Sequence, residues 1–260
     1  MIDDAVLRAE DARKTFGGLT AVDDVSFTLD SGETKALIGP NGAGKTTLLN
    51  CLSGIYDVTG GTIHLAGEDI TGIEPYEVAR RGLGRTYQIT NIFEEYTVFE
   101  NVRLAAQAKQ GRNFDLLSHY TDFEGPMEVA MEILELVNLT EKGDVPAGTL
   151  AHGEQRQLEI GLALALEPDV LLLDEPAAGM ASEELDRITN LISDLSNRYA
   201  ILLVEHNIDI VMELSDSILV LDQGEKIADD TPEVVRNDQR VLDAYLQTDA
   251  DFTDATGGQT

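Results

Sequence analysis

Short apolar runs bounded by turns alternate along the chain with stretches of helical spacing. Residues 25–29 and 35–38 read as β-strands, with the turn Ser31-Gly32-Glu33 between them. A helix is expected over 46–53, directly after a glycine-rich loop, and residues 60–70 suit a hairpin arm. Residues 75–81 predict a short helix with Pro75 at its start, where a missing N–H matters least. In the middle of the chain, 98–107 and 127–137 carry helical spacing. Val129, Ile133, Leu136 and Val137 fall on one face there and read as core. From 153 to 246, helices alternate with the runs 170–173, 201–204 and 218–221. These three runs are apolar throughout, which suits parallel strands covered on both faces and predicts an α/β fold. Residues 248–260 are polar and read as a loose tail.

Composition narrows the setting. A chain of 260 residues at 43% hydrophobic can bury a full core. No apolar run approaches the ~18 residues that a membrane-crossing helix needs. The first residues, Met1-Ile2-Asp3-Asp4-Ala5, carry no basic stretch leading into an apolar one, so no secretory leader is expected. One cysteine, Cys51, excludes an internal disulfide and fits a reducing, cytoplasmic setting.

Charge changes the picture more. Asp and Glu total 48 against 18 Lys and Arg, for a net charge of −30. Disorder is disfavoured because hydrophobic residues are plentiful. Nucleic-acid binding is disfavoured because phosphates would be repelled. The balance suits a folded protein adapted to high salt. At about 1 M the Debye length falls to roughly 3 Å, which screens self-repulsion while carboxylates keep the surface hydrated.

The chemistry begins at Gly39-Pro40-Asn41-Gly42-Ala43-Gly44-Lys45-Thr46, a G-x-x-x-x-G-K-T loop between an apolar strand and a helix, with Thr47 next to it. Its glycines let backbone N–H groups close around phosphate oxygens, and the helix N-terminus adds positive partial charge. Lys45 is expected on the β- and γ-phosphates and Thr46 on Mg²⁺. The motif by itself defines a P-loop nucleotide protein, a class that includes kinases and GTPases. Further on, an apolar strand ends in Asp174-Glu175. Asp174 is expected over the metal, and Glu175 as the base that polarises an attacking water. His206 follows the apolar run 201–204 and is placed at the ligand crevice, facing the γ-phosphate.

Taken together, these residues resemble the ATP-binding-cassette (ABC) ATPases from about Leu7 to Leu246. Arg85-Thr86-Tyr87-Gln88 resembles that family's Q-loop, which implies contact of Gln88 with Mg²⁺ or water. Leu150-Ala151-His152-Gly153-Glu154 stands where its signature motif stands. Phe16 precedes the P-loop at the distance of the aromatic that stacks on adenine. Phe16-Gly-Gly-Leu-Thr-Ala-Val, Gly84-Arg-Thr-Tyr-Gln-Ile, Gln157-Leu-Glu-Ile and Leu173-Asp-Glu-Pro-Ala-Ala-Gly resemble the first of the two ATPases of branched-chain amino acid importers. Close relatives serve urea or amide importers.

The resemblance implies a P-loop ABC domain over 1–247, with a mixed-sheet core, an antiparallel β arm and an inserted helical subdomain. Core and arm would take 1–88 and 162–247, and the helical subdomain 89–161. It implies ATP and Mg²⁺ as ligands and a peripheral place on the cytoplasmic face of the membrane. The implied partners are two membrane-spanning permease subunits, an extracytoplasmic binding protein, and a second ATPase, homologous or identical. ATP would be sandwiched between one subunit's P-loop and the other's signature helix.

Two places depart from the family pattern. The signature reads Leu-Ser-Gly-Gly-Gln in the family, so Ala151 lacks the serine hydroxyl, and Ala181 stands where an aspartate is usual. The groups for the chain's own nucleotide are present, and those offered across the interface are the altered ones. A heterodimer with unequal sites is therefore expected.

Overall fold

The structure is a computed structural model and describes residues 5–86, 92–109 and 124–245. Its frame is a six-stranded sheet in the order β10-β9-β3-β8-β7-β6. The strands are β3 (Thr34–Ile38), β6 (Leu83–Arg85), β7 (Val170–Asp174), β8 (Ala200–Val204), β9 (Ser217–Asp222) and β10 (Glu225–Asp230). All pairings are parallel except β10 on β9. β3, β7 and β8 are buried along their whole length, as their unbroken apolar runs require.

Alternation sends the two faces of these strands into different cores. Leu37, Leu172, Leu202 and Val204 join Leu48, Leu49 and Leu52 of α1 (Lys45–Leu52). On the opposite face, Leu171, Leu173, Ile201 and Leu203 share a core with residues of five helices. Among these are α4 (Glu124–Leu136), α5 (His152–Leu164) and α6 (Ser182–Ser196). The division expected between 161 and 162 lies inside α5, whose apolar residues share one cluster with both the helical layer and the sheet. A second, antiparallel sheet of order β2-β1-β4-β5 lies against α1's side, formed by β1 (Ala5–Phe16), β2 (Leu19–Asp30), β4 (Gly60–Leu65) and β5 (Glu68–Asp69). Four further helices complete the described chain: α2 (Pro75–Arg80), α3 (Val98–Lys109), α7 (Ile208–Leu214) and α8 (Pro232–Arg236), with helical residues again at 239–245. Among the described residues no helix is long and apolar enough to cross a membrane.

The consequence for function is positional. β3, β7 and β8 are adjacent and parallel, so their C-terminal ends open on one side of the sheet. That edge is where open α/β sheets take ligands.

Candidate nucleotide site

The P-loop leaves β3 at Gly39 and enters α1 at Lys45. Two of its glycines are dictated by space. Gly39 sits at φ 149°, and a Cβ there would lie 2.1 Å from the Leu221 carbonyl oxygen. Gly44, at φ 102°, would place a Cβ 2.3 Å from the Ala21 carbonyl oxygen. No side chain fits at either point, so the loop is held tight against β9 and the β1–β2 hairpin. Lys45 donates to the carbonyls of Gly39 (2.6 Å) and Pro40 (3.0 Å). Burial pulls its ammonium below the ordinary lysine range, and the charges of Glu175 and Asp174 oppose that. Both carboxylates are therefore near enough to act on Lys45. Thr46 is exposed at the same helix start, beside the half-buried Thr47. A backbone cradle, a lysine and a helix N-terminus form a donor set suited to a phosphate chain, with Thr46 and Asp174 suited to a divalent ion.

Asp174 ends β7 and is buried. Burial pushes its carboxyl up, and the Arg85 guanidinium pulls it down. Arg85 donates from Nη2 to Asp174 Oδ2 (3.3 Å) and from Nη1 to Ser53 Oγ (2.6 Å) and the Leu49 carbonyl (3.1 Å). The Asp174 N–H bonds the Thr86 hydroxyl at 3.2 Å. Glu175 follows in the left-handed region at φ 51°, its N–H bonded to the Val204 carbonyl at 2.9 Å. A non-glycine residue held there stores local strain, typical of functional positions. That turn brings Glu175 Oε1 to 2.9 Å from His206 Nε2. A carboxylate only accepts, so this bond requires the proton on Nε2.

Phe16 lies at the end of β1, before the Gly17-Gly18 turn, and is 43% exposed. Its ring meets Tyr56 edge-on at 5.3 Å, and the Lys14 ammonium sits 5.0 Å from its centroid. Gln88 lies outside the described residues.

The signature segment caps α5. Ala151 is the N-cap and, having no side-chain oxygen, leaves the first-turn N–H groups without a side-chain cap. Glu154 turns back on its own helix: Oε2 accepts from the Ala151 N–H (3.0 Å) and Oε1 pairs with Lys142 (3.2 Å). α6 repeats the arrangement, with Ala181 as N-cap and Glu184 accepting from its N–H at 3.3 Å. The two helix starts touch, since Gly153 packs against the Glu184 side chain. His152 is exposed, with Nε2 3.4 Å from the Ala178 carbonyl in the loop after Glu175.

The sequence pattern did not single out Arg85 as the partner of Asp174, nor Tyr56 and Lys14 beside Phe16. Half-buried Tyr245, whose hydroxyl accepts the Gly39 N–H, and Glu205 were missed as well. Arg85 stands in the Q-loop motif without a signal of its partner, and Tyr245 left a trace in the apolar spacing of Val241, Ala244 and Tyr245.

A P-loop, a strand-end Asp-Glu pair and a histidine on the neighbouring strand define a P-loop nucleotide-binding cassette. The ABC transporter family model matches residues 22–178, and the chain belongs to that family. A second model, for the branched-chain amino acid ATP-binding cassette transporter, matches residues 225–246. The chain is 42% identical over 248 residues to the high-affinity branched-chain amino acid transport ATP-binding protein BraF of Pseudomonas aeruginosa. That match covers 93% of this chain and 97% of BraF. It is 43% identical over 239 residues to LivG of Escherichia coli, covering 89% and 93%. Among solved structures, the ADP conformation of an ATP-binding cassette of an ABC transporter matches with a TM-score of 0.81. Identity there is 31%, over 93% of this chain and 98% of the other.

Proposed function

We propose that this chain is the ATP-hydrolysing subunit of an ABC importer for branched-chain or related amino acids. The observation that carries the reading is the Glu175–His206 pair, joined at 2.9 Å at the ends of adjacent strands and close to Lys45. Lys45 and the P-loop amides bind the phosphates of ATP, while Phe16 offers its exposed face to adenine. Glu175 orients and deprotonates the attacking water, and His206 fixes Glu175 and reaches the γ-phosphate. Thr46, Asp174 and Gln88 would hold Mg²⁺, which would neutralise charge on the phosphates. Arg85 holds Asp174 in place between turnovers.

The amino-acid reading rests on BraF and LivG and on the match at 225–246. The chain works at the cytoplasmic face with two permease subunits, an extracytoplasmic binding protein and a second ATPase. Ala151 and Ala181 support unequal sites in that pair. The net charge of −30 supports a high-salt setting. A second reading, an export ATPase, is supported by 35% identity to LptB of the Haemophilus influenzae lipopolysaccharide export system, over 93% of this chain. The 225–246 match favours import.

The test compares wild type with Glu175→Gln in molar KCl, following ATP binding and hydrolysis separately. The variant is expected to bind ATP as wild type does and to hydrolyse it at least ~100-fold more slowly, the usual contribution of a general base. Unchanged hydrolysis overturns the assignment. Paired with the equivalent change in the partner ATPase, unequal losses support two unlike sites. Melts in the same buffers are expected to run higher in KCl than in dilute solution.

A further inference from the structure

Glu205, the residue before His206, is 4% exposed, and among the described residues it forms no ion pair. Its Oε1 accepts the Ala177 N–H at 2.9 Å and its Oε2 the His206 N–H at 3.2 Å. The Asn207 N–H bonds it as well. These donors belong to two separate loops. Ala177 lies two residues past Glu175 on the loop leaving β7, and His206 and Asn207 lie on the loop leaving β8. One side chain therefore ties the loop of the catalytic carboxylate to the loop of its histidine.

Nothing in packing alone asks for a carboxylate here. Burial pushes its carboxyl upward, with the three N–H groups opposing and the charge of Glu175 adding to the rise. An apolar side chain would avoid that cost, but would take the carboxylate acceptor away from three N–H groups. The contact continues outward, because the adjoining Ala178 carbonyl faces His152 of the signature segment at 3.4 Å. A continuous path thus runs from the start of α5 through Ala178, Ala177 and Glu205 to His206.

We propose that Glu205 is a positioning residue for hydrolysis: it sets the Glu175–His206 pair and carries the state of the 177–181 loop to it. The proposal rests on the roles given above to Glu175 and His206. Any event that moves the 177–181 loop, including contact with a second cassette, then changes the aim of the histidine without touching the P-loop.

The test uses the full chain, with Glu205→Gln as the isosteric variant and Glu205→Ala as the severe one. Glutamine keeps one accepting oxygen, so at least one of the three N–H groups loses its partner. Amide hydrogen exchange at 177 and 206–207 is expected to rise about 10-fold, with β8 amides unchanged. ATP binding and KM stay at wild-type values while kcat falls roughly 10-fold, further in the alanine variant. Because Glu205 acts through His206, Glu205→Gln/His206→Ala is expected to be no slower than His206→Ala alone. Additive losses in that cycle, unchanged exchange, or a raised KM with normal kcat overturns the proposal. If Glu175→Gln and His206→Ala leave hydrolysis intact, the site reading fails instead, and the exchange measurement still decides whether the tie exists.

Discussion

At the ends of β3, β7 and β8 the functional groups are held from within the chain. Lys45 bonds two P-loop carbonyls, Asp174 is pinned by Arg85, and Glu175 meets His206. The N-termini of α5 and α6 are built differently. Both N-caps are alanine, and only the glutamate three residues on reaches back to the cap's own N–H. A serine, threonine or aspartate cap stabilises a helix by ~1 kcal/mol by accepting from its first turn. Alanine forgoes that and leaves those N–H groups for an anion from outside, where the helix dipole already favours one. The groups proposed to bind the chain's own nucleotide are thus held by partners within the chain. The helix starts proposed to face a second cassette lack a side-chain cap.

The largest expected effect comes from the fixed side. Lys45→Ala removes a charged donor worth ~1.5–3 kcal/mol per bond, so ATP affinity is expected to fall about 100-fold. The nucleotide-free chain is not expected to melt lower, because the substitution also removes a desolvated cation. Nucleotide titration beside a thermal melt checks both, and a collapse of the apo melt would mean that Lys45 is a structural strut.

Restoring the caps on the open side is expected to act more gently. Ala151→Ser returns one hydroxyl, which is expected to raise hydrolysis in the assembled dimer up to ~10-fold if it reaches the phosphate. Ala181→Asp accepts from the first turn of α6 and is expected to stabilise the chain by ~1 kcal/mol, or ~2–4 °C in melting temperature. If neither moves, the two N-termini are already satisfied and the contrast between the sides collapses.

An effect confined to alkaline pH tests insulation on the fixed side. Cys51 lies in α1, and burial pushes its thiol up to about 11 from 9.0. An acid whose native value is raised keeps its proton after the unfolded chain has ionised. Stability is therefore unaffected below pH 9 and falls as pH rises from 9 to about 11. The total loss is about 2–3 kcal/mol. Subtracting the pH–stability curve of Cys51→Ala isolates it, and native thiol labelling at pH 8 is expected to be negligible. Rapid labelling would show that α1 opens.

What could be read from the residues was what local pattern carries. The apolar runs that became β3, β7, β8 and β9 lie within a residue or two of their expected ends, and so do α1, α2, α3 and the start of β4. β6 was not legible, because three residues are too few to show a period. β1 was not drawn as a strand either, since left-handed Asp11 and repeated register shifts break its alternation.

The sequence by itself determined the α/β frame, the P-loop and the strand-end carboxylates. Each of these is a short run of residue types whose backbone freedom, hydrophobicity or charge is decisive within a few neighbours. Only the tertiary structure decided how those groups are held. Arg85 meets Asp174 across 89 residues, Ala177 meets Glu205 across 28, and Tyr245 returns from the far end of the described chain to the start of the P-loop. A hydrogen bond or ion pair between such distant residues leaves no periodicity. It forms because the parallel strand order brings their loops to one edge of the sheet, where buried polar groups must find partners.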